Sequence, residues 1–265
     1  PMAQRGQVPK LLKDGQRIFN PIFNGVFWEI HELVLEDIER VEVIRGPGAA
    51  IWGSNAVNGV INIITKHTKD TQGALVSAGS GTEEQGLVSL RYGGELGEDS
   101  KYRVFSRYAN RDSNKIANGD SASDRWEAIS GGFRIDTELS KNDSLFIAAD
   151  AAYQEQHFTV VGPSLSPPYV DSTSFSGERF ERNFNLNTRY THKISETSDI
   201  QVGLDYNNFD RDDSVVHVTT DMLHMDFQHR FQPAERHDFI YGVEYQLYQD
   251  DTEGSFLEQI VPDSR

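Results

Sequence analysis

The sequence predicts two units in series: a small α/β unit over residues 1–66, then antiparallel up-and-down β-barrel strands of transmembrane type over residues 67–265. Three observations predict this. Before Lys66, apolar residues come in short β-branched blocks bounded by glycine; after it, they alternate with polar residues at period 2. Along the alternating part, short polar connections take turns with longer ones. No run of about 18 apolar residues exists, so no membrane helix is present, while barrel strands need only half their residues apolar.

In chain order, the first unit carries Leu11-Leu12, Ile18-Phe19, Val26-Phe27-Trp28 and Leu33-Val34-Leu35. Two β-branched blocks follow, Ile38 to Ile44 and Val60 to Ile64, which read as strands. Between them, Pro47 to Gly53 fits about one or two turns of helix, with proline near its start and glycine at its end. The second unit supplies about nine strands, most of them long for a globular sheet. Leu145, Ile147, Ala149, Ala151 and Tyr153 share one face while Asp150 lies on the other. Phe184, Leu186, Thr188 and Tyr190 alternate with Asn183, Asn185, Asn187 and Arg189, and Phe239 to Leu247 repeats the pattern. Connections at 94–101, 140–144, 194–199 and 232–237 read as short turns. Those at 112–124, 157–177 and the acidic Asp210 to Asp213 read as the longer or more irregular loops of the opposite end. Aromatics near strand ends, including Tyr102, Trp126, Tyr190 and Phe231, suit interfacial girdles or ordinary cross-strand packing.

Composition narrows the function. The 265 residues carry a net charge of −16, which disfavours nucleic acid as a partner because a duplex would repel this surface. Aromatics make up 11%, too many for a disordered chain. The absence of cysteine excludes disulfide scaffolds, thiolate metal sites and cysteine nucleophiles. Histidines are scattered without zinc-ligand spacing, and the acidic Asp210 to Asp213 lacks the glycine and terminal glutamate of a calcium loop. Gly46, Gly48 and Gly53 are not a phosphate loop, since no lysine follows and Pro47 removes an N–H. No Ser/His/Asp constellation on a strained turn appears, so no enzyme is expected and no metal or cofactor is assigned.

The stretch from Leu35 to Lys66, LEDIERVEVIRGPGAAIWGSNAVNGVINIITK, closely resembles the C-terminal half of the plug domain of TonB-dependent outer-membrane receptors. Its motif residues here are Gly46, Pro47, Trp52, Gly53, Asn58 and Gly59. Upstream, Asp14-Gly15-Gln16-Arg17 and Asn20 to Trp28 look like the preceding plug strand and apical loop, with Lys13 interrupting a usually apolar stretch. The resemblance implies that residues 1–66 are the C-terminal part of a plug, and residues 67–265 the start of a barrel of about 22 strands. Neither a signal sequence nor a TonB box precedes Pro1, and a piece of a longer protein is expected. Strand parity under this reading puts the short turns on the periplasmic side and the longer loops outside.

The resemblance further implies TonB as a partner, outer-membrane lipid and lipopolysaccharide as surroundings, and an iron–siderophore complex or similar scarce nutrient as cargo. A cobalamin or glycan receptor of the same family, or a soluble β-rich binding or adhesin module, are the alternatives. Phe19, Asn20, Phe23, Asn24, Phe27 and Trp28 are the candidate cargo contacts, although Phe27 and Trp28 are as well suited to packing the plug. Glu42 and Arg45 are the candidate latch between plug and barrel, against the alternative of a solvated strand face.

Overall fold

The computed structural model describes residues 10–18, 20, 25–27, 30–31, 33–46, 59–162, 173–213 and 216–253. The helix expected over Pro47 to Gly53 lies outside them, as do Asn58 and Trp52 of the motif.

The first unit is a four-stranded mixed sheet built from β1 (Lys10–Lys13), β2 (Gln16–Arg17), β3 (Ile38–Arg45) and β4 (Gly59–Thr65), in the order β2-β1-β4-β3. Strands β1 and β4 run parallel; the other pairs are antiparallel. Asp14 and Gly15 close the β1–β2 hairpin with φ of 49° and 85°, the left-handed pair that a two-residue hairpin turn requires. At the start of β4, Gly59 has φ 141°, and a Cβ there would overlap the Ile44 carbonyl oxygen. The apolar core is small: Leu11, Ile18 and Val26 on one side, Leu12 and Val60 on the other. A 3-10 turn at Leu35–Asp37 leads into β3, and another at Thr68–Asp70 leads out of the unit.

The second unit is one nine-stranded antiparallel sheet in which every strand pairs with its sequence neighbours. It comprises β5 (Gly73–Gly79), β6 (Glu84–Glu95), β7 (Ser100–Arg111), β8 (Trp126–Glu138), β9 (Asp143–Gly162), β10 (Thr173–Ser195), β11 (Ser198–Asp213), β12 (His217–Ala234) and β13 (His237–Glu253). Period-2 alternation sorts the two faces. Val88, Leu90, Val104, Ile129, Val202 and Val243 stand exposed on one, whereas Arg103, Asn183, Asn185, Asn187 and Asp205 are buried on the other. A sheet that is apolar outside and polar inside inverts the water-soluble arrangement and matches a barrel wall in lipid. Strand β10 has 23 residues, about twice the roughly 9–11 that a tilted spanning strand needs.

Turns at 96–99, 139–142, 196–197 and 235–236 share one end of this wall. The other end departs from the sequence expectation in two places. Residues 157–162 and 173–177 are strand, so the β9–β10 hairpin is taller than its proline-rich connection suggested. Asp210 to Asp213 is the end of β11 and not a loop. Its alternation was hidden because Arg211 and Asp213 face inward as an ion pair (2.8 Å), which reads as loop composition. The loop at 112–125 folds back through a Lys115–Ser121 bridge.

Candidate functional site: the seam between sheet and wall

The small sheet is fastened to the polar face of the wall along a seam of charged and amide groups. Its partners run from β6 to β13, so the wall curves around it. At one side, the 3-10 turn buries Asp37 (4% exposed), which takes a hydrogen bond from Arg91 of β6 at 2.8 Å and pairs with Arg103 of β7 at 3.5 Å. Arg103 also donates to Thr65 Oγ1 at 2.7 Å and to the Lys66 carbonyl. Next to it, Arg134 of β8 donates to Thr65 Oγ1 (2.8 Å) and to both oxygens of Asp136 (2.9 Å each). Asp14, from the β1–β2 turn, accepts from Thr65 N and Oγ1 at 2.8 Å and lies 3.6 Å from Arg134. Thr68 N donates to Asp136 at 2.9 Å. Two arginines from the wall thus converge on the C-terminal end of β4, where strand carbonyls and three carboxylates receive them.

Further round, Lys13 crosses from β1 to an ion pair with Asp150 of β9, which Asn185 also binds at 2.8 Å. This explains the lysine inside an otherwise apolar block: its side chain belongs to the wall contact and not to the sheet's core. Asn187 donates to the Asp14 carbonyl at 3.1 Å, Gln16 to the carbonyls of Leu186 and Tyr206 at 3.3 Å each, and Arg17 to Glu244 of β13 at 2.6 Å. Asn207 bonds Asn183 and Asn185 at 2.7 Å, completing an amide ladder on the wall. His31 is half-buried beside Lys13 and Asp150; desolvation first, then the lysine charge, pushes its pKa down to about 4. Burial likewise lowers Lys10 to about 8, helped by Arg17 and opposed by Glu244. Below the sheet, a cavity of about 740 Å³ opens among Asp14, Arg40, His67, Arg134, Asp136 and Arg189, beside the short-turn end of the wall.

Of the candidate cargo contacts, Phe19, Phe23, Asn24 and Trp28 lie outside the described residues. Asn20 is 5% exposed and bridges to Gly25 by paired backbone hydrogen bonds of 2.8 and 3.3 Å. Phe27 stacks on Phe209 of β11 with centroids 4.8 Å apart, under the Arg211 guanidinium at 5.5 Å. Both therefore sit in the seam. Phe27 packs against the wall, a third possibility beside the cargo contact and plug packing that sequence offered. Glu42 accepts from Arg40 at 2.8 Å and from Asn62 at 3.3 Å, inside the small sheet, and Arg45 is exposed on the edge strand. Among the described residues, the ion pairs that reach the wall are carried by Lys13, Asp14, Arg17 and Asp37 from the small sheet and its turns, and by Arg91, Arg103, Arg134, Asp150 and Glu244 from the wall. Sequence reasoning missed these. The available signals were isolated charges at inward parity, such as Asp150 in an alanine-rich strand and the Asn183/Asn185/Asn187 alternation.

A mixed sheet seated against the polar face of an up-and-down antiparallel wall is the architecture of a plugged barrel. Residues 3–60 match the family model of the TonB-dependent Receptor Plug Domain, and the chain as a whole is similar to TonB-dependent receptors, as a plug segment followed by the first barrel strands. It is 30% identical over 197 residues to the vitamin B12 transporter BtuB of Vibrio vulnificus (strain CMCP6), a match covering 72% of this chain and 27% of that protein. The ferric-catecholate import receptor Fiu of E. coli K12, in its open form, shares the fold with TM-score 0.70 at 16% identity, over 91% of this chain and 42% of that one. The siderophore receptor PirA of Pseudomonas aeruginosa gives 0.63 at 14%, over 93% and 41%. The chain thus spans about a quarter of the curated relative's length. These relatives are transporters and receptors, not enzymes.

Proposed function

We propose that this chain is the plug and first wall of an importer in the outer membrane of a Gram-negative bacterium. On this reading residues 1–66 are the plug part and 67–265 the barrel part. The importer takes up an iron–siderophore complex or a similar large, scarce nutrient. TonB, acting through a TonB box elsewhere in the full-length protein, supplies the pull, and outer-membrane lipid with lipopolysaccharide surrounds the apolar face. The observation carrying this reading is the seam itself: apart from one small apolar cluster of Phe27, Ile30, Ala152 and Phe209, charged and amide contacts hold the plug to the wall. Such contacts release without exposing a hydrophobic core, and water can replace them.

Cargo meets the apical segment of the plug. Phe19, Phe23, Asn24 and Trp28 form the platform, with Asn20 and Phe27 anchoring its base. Glu42 and Arg45, on the sheet edge formed by β3, latch onto wall strands beyond those described. The BtuB relatives favour a second reading, in which the cargo is a corrinoid. Titration of the full-length receptor with a panel of ferric siderophores and with cyanocobalamin separates the two. Siderophore binding weakened at least tenfold by Phe23→Ala and Trp28→Ala is the expected result. Cyanocobalamin binding with no siderophore binding would replace the first reading by the second, and unchanged affinity in both variants would remove the apical platform.

A further inference from the structure

Cross-strand pairing on the inner face of the wall gathers a ligand set that no local sequence spacing reveals. Asp205 of β11 lies directly opposite His224 of β12, and Asp226 follows His224 on the same face. One ligating atom from each of the three residues lies within 4.8 Å of the others. His224 Nδ1 is 3.0 Å from Asp205 Oδ2. Asp205 is 3% exposed, and its second oxygen, Oδ1, is buried without a hydrogen-bond partner, while His224 Nε2 faces Glu244 Oε2 at 3.5 Å. A carboxylate oxygen buried without a donor is costly in an empty site, and a cation held by this carboxylate removes that cost. The backbone makes room for the set: a Cβ at position 203 would collide with the Asp226 carboxylate as it is placed, and Gly203 leaves that space open. The other charged groups facing the cluster are Arg189, 3.6 Å from Asp226, and Glu244, 3.5 Å from His224 and bound by Arg17 of the plug at 2.6 Å. Neither arginine touches Asp205. The other His/carboxylate grouping, Glu155 with His157 and Glu178, is more exposed, and Arg125 already stands 3.0 Å from His157 Nε2.

We infer that Asp205, His224 and Asp226 form a divalent transition-metal site on the lumen wall, joining β11 to β12. One nitrogen and two carboxylates suit a borderline ion such as Zn²⁺, Mn²⁺, Fe²⁺ or Co²⁺. The ion takes the place of the hydrogen bond between His224 Nδ1 and Asp205 Oδ2. Small side-chain adjustments bring atoms within 4.8 Å to the roughly 2.0–2.2 Å metal–ligand distances such ions need. The site is independent of what cargo the receptor carries.

The test uses the full-length receptor in detergent, free of siderophore, stripped with chelator, reloaded with Mn²⁺ and desalted. Wild type is expected to retain about one equivalent of Mn²⁺, with nitrogen coupling from one imidazole in its electron spin-echo spectrum. Asp205→Asn and His224→Gln should retain at least tenfold less while keeping heat-modifiable migration on gels, the mark of a folded barrel. Asp205→Asn preserves side-chain shape, so the comparison stands even if His224→Gln fails to fold. No retention by wild type, retention without nitrogen coupling, or equal retention by folded Asp205→Asn would each overturn the assignment.

Discussion

Lys13 is a cation placed where the family pattern calls for an apolar residue, and its ion pair with Asp150 makes it essential to the seam. Lys13→Met strands a buried carboxylate beside Asn185 and should destabilise plug docking by about 3–5 kcal/mol, whereas Lys13→Met with Asp150→Leu should recover most of that loss. Thermal unfolding of the full-length receptor, with the double variant beside each single one, checks the expectation. His31 adds a pH dependence whose sign follows from its lowered pKa. The docked plug holds His31 neutral and the released segment protonates it at the ordinary value near 6.5, so docking is fully favoured above that pH and weakens as pH falls toward about 4. The full shift corresponds to roughly 3 kcal/mol. Protection factors of the small-sheet amides, with the intrinsic pH dependence of exchange divided out, should therefore fall between pH 7 and 5 in wild type, and less in His31→Gln. Gly59 is a third constrained position: Gly59→Ala meets both a φ of 141° and the Ile44 carbonyl. A loss of about 1–3 kcal/mol is expected, read as a lowered melting temperature.

At the level of elements, the barrel strands were legible because a two-sided environment writes itself into alternation. Leu145 to Tyr153 and Phe239 to Leu247 each announce a lipid face and a lumen face. The upper hairpins were less legible. Above the membrane both faces meet water, the apolar half of the pattern disappears, and β9 to β11 continue as strands through sequence that reads as loop. The seam was the least legible of all. Its pairs join residues separated by 37 to 227 positions, such as Arg103 with Lys66 and Arg17 with Glu244, and no local pattern encodes such distances. A charge on the outer face tests the strand assignment directly. Val243 is 69% exposed at the middle of β13, and Val243→Arg should cost about 2–4 kcal/mol if that face meets the bilayer midplane. Folding titrations of the full-length receptor into lipid vesicles measure it; no penalty would mean that β13 does not face lipid.

For the whole molecule, the contrast between the two faces of the wall matters more than either face alone. The outer face, carrying Val76, Val202, Val243 and Tyr245, is apolar and exposed, a character suited to lipid tails. The inner face is held to the plug by hydrogen bonds that differ little from those water itself would make. Several buried amides along it, including Gln154 Nε2 and Asn183 Nδ2, have no partner in the docked arrangement. Freeing the plug would trade imperfect contacts for hydrated ones, against the ion pairs at Asp14, Asp37, Lys13 and Arg17 and the apolar cluster of Phe27 and Ile30 with Ala152 and Phe209. Mechanically, the amide ladder of Asn183, Asn185, Asn187 and Asn207 is a lubricated bearing: stiff against collapse, low in friction along its length, and reset by the same bonds once the load is removed.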